Sequence, residues 1–390
     1  MELIEVTTSA LAKDFIFVNV TINKDNLNYI RPLDKDINDV FDKEKNNAFQ
    51  FGEAVRWILK DNNGNAIGRI AAFVNSKYKN KGDDVPVGGF GFFDCINDQK
   101  AADLLFDTAK NWLLQKEVQA MDGPINFGER NRWWGLLVEG FHEPLYAMNF
   151  NAPYYQKLFE TYGFQVFYNQ ICWLLNVPKK GGQLAPRLYA AHRKFSSNPD
   201  FKTSTVSKNN LQKFAKDFCT IYNKAWAGHD GNKEMNESDA LKTFKKMKAV
   251  MDENCIFFTY HKNEPVSFFI SLPDLNQIFK FLNGEFNWWA KLKFLFYKKF
   301  IGCTRLVGII YGVTPEFQGS GVDYFMLAEA EKVIIAKTKY TEFEMQWQGD
   351  FNPKMLNISK NLGATQSRRL ITYRYLFDRT KEFVRHPLLN

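Results

Sequence analysis

A repeated segment sets the architecture of this chain. The stretch Asn151–Gly163 is echoed by Asn352–Gly363, and Pro153 and Pro353 each precede a glycine, Gly163 and Gly363, by the same distance. Proline near the first turn and glycine just past the last are the start and stop signals of a short helix. Each copy leads into a β-rich stretch, Gln165–Leu175 and Leu370–Phe377. Further upstream each half carries a hairpin signal: Ala54–Phe73 turns at Asn63-Gly64, and Ile256–Ile270 turns near Asn263. The repeat predicts two copies of hairpin, strand, helix, strand, helix, strand.

Length agrees, because 390 residues exceed the size at which a single core stops growing. Val177–Gln183 combines Pro178, Gly181 and Gly182 with two lysines and reads as a linker. The expected domains are therefore residues 1–180 and 184–390. The 45% hydrophobic and 24% charged fractions are those of an ordinary globular protein. Cys95, Cys172, Cys219, Cys255 and Cys303 are far apart, several of them in apolar segments. They predict reduced core thiols in a cytoplasmic protein rather than a disulfide frame or a metal site. The first residues lack the basic and apolar regions of a signal peptide. No apolar run reaches the length of a membrane span. A net charge of +8 suits an anionic partner, such as a phosphorylated cofactor, a lipid head group or RNA. No basic zipper, zinc finger or RNP pattern is present, so nucleic acid is not the expected partner.

Chemistry is most legible at Val313–Asp323. The apolar run Arg305–Tyr311 reads as a buried strand, and Asp323–Ile335 has helical apolar spacing. The turn between them contains Gly319 and Gly321, which leaves backbone N–H groups unpaired at a helix N-terminus, an anion site. It lacks the Gly-Lys-Ser/Thr of a P-loop and the G-x-G-x-x-G of a dinucleotide fold. The loop Gln318-Gly319-Ser320-Gly321-Val322-Asp323, after a strand ending Val313-Thr314-Pro315, resembles the acyl-CoA loop of the GNAT acyltransferase superfamily. The repeated helix-glycine-strand segments resemble the last third of a GNAT domain.

The resemblance implies an α/β (α+β) protein of two tandem GNAT-like domains, each a mixed, mostly antiparallel twisted sheet flanked by helices. It implies acyl-CoA as co-substrate, held by Val313 and Gln318 to Asp323, an amine acceptor, and no metal. Asp323 departs from the pattern, which has a small residue there; a carboxylate beside a pyrophosphate is unfavourable unless it points away. The blocks Gly123-Pro-Ile-Asn126 and Gly140-Phe-His-Glu-Pro144, Pro153-Tyr-Tyr and Tyr222-Asn-Lys-Ala-Trp226, with the loop, resemble bacterial tandem-GNAT proteins that include ceramide-synthase-like N-acyltransferases. That likeness implies a long-chain acyl donor and a lipid-like amine.

The first half has no phosphate loop, and reads as a degenerate domain on the acceptor side. Its irregular, aromatic block 122–144 suggests a pocket lining, with Asn126, Glu129, Asn131, Trp133 and His142 as candidate acceptor contacts; a structural cap is the competing account. Tyr222 and Trp226 join them from the second half, where the resemblance places acceptor contacts. For the base, Glu342 and Glu344 alternate on a strand with Gln346, an arrangement suited to a cleft or to a solvated strand face. His229 is the other candidate. Many GNAT enzymes use a tyrosine as thiol acid; the matching position here is Ser359.

An insertion at 278–301 is rich in Trp, Phe and Lys, and Trp288, Leu292, Leu295, Phe296 and Phe300 fall near one helical face. That pattern suits a membrane interface at the inner face, the mouth of an acyl-chain tunnel with Trp288 as a contact, or a helix packed on the core with lysines reaching solvent. Two other functions fit the same residues, an aminoacyl-tRNA-dependent transferase of tandem-GNAT type and a non-catalytic acyl-CoA-binding module.

Overall fold

A computed structural model describes residues 1–182, 184–226 and 234–389. The first half runs β1 (Glu2–Glu5), α1 (Ser9–Asn23), α2 (Asp34–Val40), β2 (Gly52–Lys60), β3 (Ala66–Asn75) and β4 (Val87–Cys95). It continues with α3 (Gln99–Leu114), β5 (Ala120–Gly123), β6 (Leu136–Glu139), α4 (Tyr155–Tyr162) and β7 (Gln165–Asn176). The second half opens with α5 (Pro186–Ser196) and β8 (Phe201–Thr205), then α6 (Leu211–Trp226), α7 (Glu237–Met247), β9 (Ile256–His261) and β10 (Glu264–Pro273). After α8 (Asn276–Phe279) and α9 (Trp288–Phe300) come β11 (Arg305–Val313), α10 (Val322–Lys337), β12 (Glu342–Gly349), α11 (Pro353–Asn361) and β13 (Thr365–Leu376).

Local chemistry explains these boundaries. The β2–β3 turn is closed by Asp61 Oδ1, which accepts from the N–H groups of Asn63 (2.9 Å) and Asn65 (2.8 Å). Lys262 and Asn263 both have positive φ between β9 and β10, as a two-residue hairpin turn requires. Asn352 caps α11, its side chain accepting from Met355 N–H at 3.2 Å, and Pro353 is the first helical residue. In the first copy the helix begins two residues after its proline, at Tyr155, and Gly163 ends it in the left-handed conformation.

From its hairpin onward each half follows the expected order of elements with one addition, and each is preceded by further elements, β1, α1 and α2 in the first and α5, β8, α6 and α7 in the second. Residues 124–154 carry β6 between β5 and α4, and residues 274–304 carry α8 and α9 between β10 and β11. The two additions meet: Asn276 Nδ2 donates to Pro144 O at 2.9 Å, and Tyr146 packs on Phe279 with ring centroids 5.3 Å apart.

One feature was not expected. Among the described residues thirteen strands form one sheet in the order β1-β2-β3-β4-β5-β13-β7-β12-β11-β10-β9-β8, with β6 pairing β13 off this path. Strand β5 is neighboured by β13 rather than by β7, and β12 by β7 rather than by β13. Each half thus gives its last strand to the other. At the centre β7 and β13 pair antiparallel from Leu174↔Thr365 to Gln165↔Arg374. The linker 177–183 lies between β7 and α5, so the chain passes from one half to the other after β7 has already entered the second half's sheet.

Helices cover both faces. Phe90, Phe93, Phe106 and Phe159 are buried in the first half, Phe93 stacked on Phe106 at 4.6 Å. In the second half Leu306, Met326, Phe343 and Met345 pack under α10, while α6 and α7 cover the other face through Phe218, Phe244 and Phe268. All five cysteines are buried and free.

Candidate active site

Strands β11 and β12 run parallel and pair only from Arg305↔Glu342 to Gly308↔Met345. Beyond that point they part. Two irregularities bend them at that level: a register shift at Ile270/Ser271 on the β10 side, and another between Met345 and Gln348 against β7. Such bulges locally increase twist and break a ladder. The opening is a cleft of about 370 Å³ between Gly308–Tyr311 on one side and Met345–Gln348 on the other, floored by Ser359 and its α11 neighbours. Among the described residues, the edge of β11 that faces away from β10 has no strand partner there.

At the far end of β11 the chain makes a short 3-10 turn, Pro315–Phe317, and enters the glycine loop. Gly319 (φ +73°) and Gly321 (φ +91°) are left-handed, and the space where a Gly319 side chain would point is empty. Ser320 Oγ accepts from Val322 N–H at 3.2 Å and donates to Phe317 O at 2.6 Å. Gln318 Nε2 donates to Val313 O at 3.3 Å. Among the described residues the N–H groups of Gly319, Gly321, Asp323 and Tyr324 have no protein acceptor, which leaves an anion cradle at the N-terminus of α10. Helix α5 lines one side; a Cβ on Gly321 would sit 3.5 Å from Ala191 Cβ. Val313 and Val322 contribute backbone only, since both side chains are in the core.

Asp323 is half-buried in the first turn of α10. Its carboxylate lies beside the buried Tyr311 hydroxyl, and burial together with this charge pushes the phenol well above its ordinary range. The hydroxyl itself makes no hydrogen bond of normal geometry.

The first half lacks both parts of this arrangement. Its β4 and β5 also pair briefly, Val87↔Ala120 to Gly89↔Asp122, but the chain then fills its own gap. Ile125 N–H donates to Phe90 O at 2.7 Å, Ile125 and Phe127 are buried, and a Cβ on Gly91 would lie 1.9 Å from Ile125 O. The N-terminus of α3 is closed by Asp98, which accepts from Lys100 N–H (2.8 Å) and Ala101 N–H (3.2 Å).

Of the acceptor candidates, Asn131 reaches the cleft beside Arg130. Asn131 and Trp133 also line a small pocket with Tyr146, Gln346 and Trp347 next to it. Trp133 is buried against Phe92, with ring centroids 5.5 Å apart. Asn126 is buried behind them, its Nδ2 donating to Glu129 O at 3.3 Å and its Oδ1 without a partner among the described residues. The Glu129 side chain is exposed and pairs with Arg132 at 3.1 Å. Tyr222 stacks on Phe218 in the α6 layer. The side chain of Trp226, and His229, lie outside the described residues. Trp288 is on the exposed face of α9.

Neither glutamate lines the cleft. Alternation predicted Glu342, Glu344 and Gln346 on one face, but the irregularity at Met345/Gln348 lets Gln346 line the cleft without Glu344. Glu342 pairs with Arg305 at 2.9 Å. Glu344 is fully buried with Arg368 (2.8 Å) and faces Arg305 (3.6 Å) and His142 (3.9 Å). Burial raises its pKa, but His142 and the two guanidiniums outweigh that and hold it at about 2. Arg368 also donates to the main-chain oxygens of His142 (2.9 Å) and Glu143 (2.6 Å). The glutamate thus anchors block 140–144 to the sheet, and His142 goes to this cluster.

The polar groups that do face the cleft are Asn131, Gln346, Gln348, Ser359 and Arg130. Ser359 is buried and bonds Gln348, with Nε2 2.7 Å and Oε1 3.0 Å from its Oγ. Among the described lining residues none is a carboxylate or imidazole. No group of three or more His, Cys, Asp or Glu among them is placed to hold a metal.

No family model matches the chain. It is 26% identical over 369 residues to protein YghO of Escherichia coli (strain K12), covering 93% of this chain and 92% of that one. It is 25% identical over 381 residues to the bacterial ceramide synthase of Caulobacter vibrioides (strain NA1000 / CB15N), covering 96% of each. A solved tandem GNAT protein from the clavulanic acid biosynthesis pathway superposes with a TM-score of 0.55 at 9% identity, over 97% of this chain and 100% of that one. The chain has the tandem GNAT fold.

Proposed function

We propose that this tandem-GNAT chain is an N-acyltransferase that takes its acyl group from acyl-CoA and passes it to an amine, with a long-chain lipid amine as the acceptor. One observation carries the reading: the second half has an open cleft between parting parallel strands and, past the end of β11, an unfilled glycine cradle, while the equivalent places in the first half are occupied by the chain. The cradle offers N–H groups and a helix dipole to a pyrophosphate. The unpaired edge of β11 offers main-chain donors and acceptors to the amide-bearing arm that links it to the thioester, in the manner of an added strand. An N–H from that edge near Tyr311–Val313 would stabilise the oxyanion as the amine attacks.

Asn131, Gln346 and the Trp133–Trp347 pocket sit where an acceptor would approach. With no carboxylate or imidazole on the described lining, the amine arrives neutral or loses its proton through water, and His229 is the sequence candidate for a base beyond that lining. The lipid acceptor is supported by the end-to-end likeness to a protein named as a ceramide synthase and by the apolar α8–α9 addition against the acceptor block.

The same absence favours a second reading, an acyl-CoA-binding module without turnover. Calorimetry with CoA and long-chain acyl-CoA, followed by thiol release over a panel of amines, separates the two. Gly321→Glu should weaken CoA binding by at least about tenfold, because it puts a like charge and a strained side chain at the cradle. Equal affinity in a folded variant would overturn both readings, and binding without thiol release for any amine would leave only the second.

A further inference from the structure

Helix α9 presents to the outside what most helices bury. Among the described residues, eight of the fifteen exposed large apolar side chains lie between Phe281 and Ile301. Trp288 and Trp289 are 60% and 62% exposed and stacked 4.2 Å apart, and Leu292, Leu295, Phe296 and Phe300 accompany them. At roughly 100° per residue these six occupy one continuous arc. The opposite arc carries Ala290, Phe294 and Tyr297, which face the protein; Phe294 meets Phe279 at 5.7 Å and Tyr297 stacks on Phe281 at 4.5 Å.

The helix is therefore apolar on two faces, and its lysines occupy the boundaries. Lys291 and Lys298 lie along one border, Lys293 along the other, and Lys299 within the outer arc, with no acidic residue between Trp288 and Phe300. The helix is also firmly held. Asn287 caps it by accepting from Ala290 N–H at 2.9 Å, Lys298 Nζ bonds Ala249 O, and Gly284 O just before it accepts from Asp34 N–H at 2.8 Å. The outer face is thus a fixed surface rather than a loose segment.

We infer that the outer face of α9 docks on a bilayer of anionic phospholipid, lying in the interfacial plane. Tryptophan and phenylalanine enter the boundary of head groups and chains, and the flanking lysines reach the phosphates. Charge decides against a second copy of this chain as the occupant, because pairing two α9 faces would set lysine borders against each other. No helix among the described residues is long and apolar enough to cross a membrane, and this contact requires none.

The full chain is mixed with vesicles of phosphatidylcholine alone or containing phosphatidylglycerol, at low and high salt, and sedimented. Neither vesicle contains an amine acceptor or CoA, so the result stands apart from the proposed reaction. The parent should pellet with the anionic vesicles and be released by salt. Lys291→Glu with Lys293→Glu should weaken that partition by about tenfold or more, and Trp288→Ala with Trp289→Ala should do so even at low salt. Leu27→Ala, at a fully exposed position elsewhere, should bind as the parent does. A parent that stays in the supernatant, or folded variants that pellet equally, would overturn the proposal. So would a dimer in sedimentation velocity that the tryptophan variant dissolves, since the face would then be covered by a second copy.

Discussion

Glu344 is the residue whose surroundings dictate most clearly what it cannot do. Held at about 2 by His142, Arg368 and Arg305 against the cost of burial, it has little basicity at neutral pH and serves as an anchor. Glu344→Gln leaves Arg368 buried without its counter-charge, and should cost about 3–5 kcal/mol in urea unfolding. The pH sign follows from the direction of the shift. A folded pKa below the usual 4.5 gives stabilisation that is full above about pH 4.5 and lost as pH falls toward 2, about 3 kcal/mol in all. The parent should show that acid-side loss, and Glu344→Gln should show a flatter limb over the same window. Asp274 acts oppositely: burial, with a contribution from the Glu344 charge, raises it to about 6, so it costs stability as pH rises from about 4 to 6, and Glu344→Gln should lessen that cost. An acid limb unchanged by Glu344→Gln would mean that the carboxylate is not charged in the folded state.

At the scale of elements, the loop after β11 and the plug after β5 are the same position used in two ways. One CoA should therefore bind per chain by calorimetry. Asp98→Ala, which removes the cap of α3, should cost about 1 kcal/mol of stability without adding a second site, because Ile125 still fills the gap. A stoichiometry of two would refute this account of the first half. Strand β11, the loop and α10 were legible in the sequence because an apolar run, paired glycines and helical spacing are local signals. The split use of β12 was not: alternation placed Gln346 with Glu342 and Glu344, and an irregularity at Met345/Gln348 leaves no mark in a period of two. The nearness of Asp323 to Tyr311, twelve residues earlier by number, arises only once strand and helix pack. The outer face of α9 could be read from its spacing, whereas which face the protein would cover depended on α8, whose Phe279 meets Phe294.

For the whole molecule, the exchange of β7 and β13 means that connectivity and packing divide the chain differently. Lys179 and Lys180 are exposed in the connection between the halves. Trypsin nicking there should leave both fragments in one particle that unfolds in a single transition, since separating them would strip β7 and β13 of every strand they pair with. Fragments that part on a sizing column without denaturant would contradict the observed strand order. The halves expressed alone should aggregate, each exposing an unpaired edge. None of this could be read from the repeat, which records each copy's order of elements but not which copy's sheet a final strand joins.

The plug in the first half has one more consequence. Ile125 and Phe127 are tethered occupants, and a short tether holds its group at an effective concentration on the order of millimolar, undiminished by dilution. A soluble competitor binding the gap no more tightly than the plug would have to exceed that concentration to empty it. The asymmetry between two halves of common design is thus a constant of the molecule, and any response to ligand supply belongs to the other half alone.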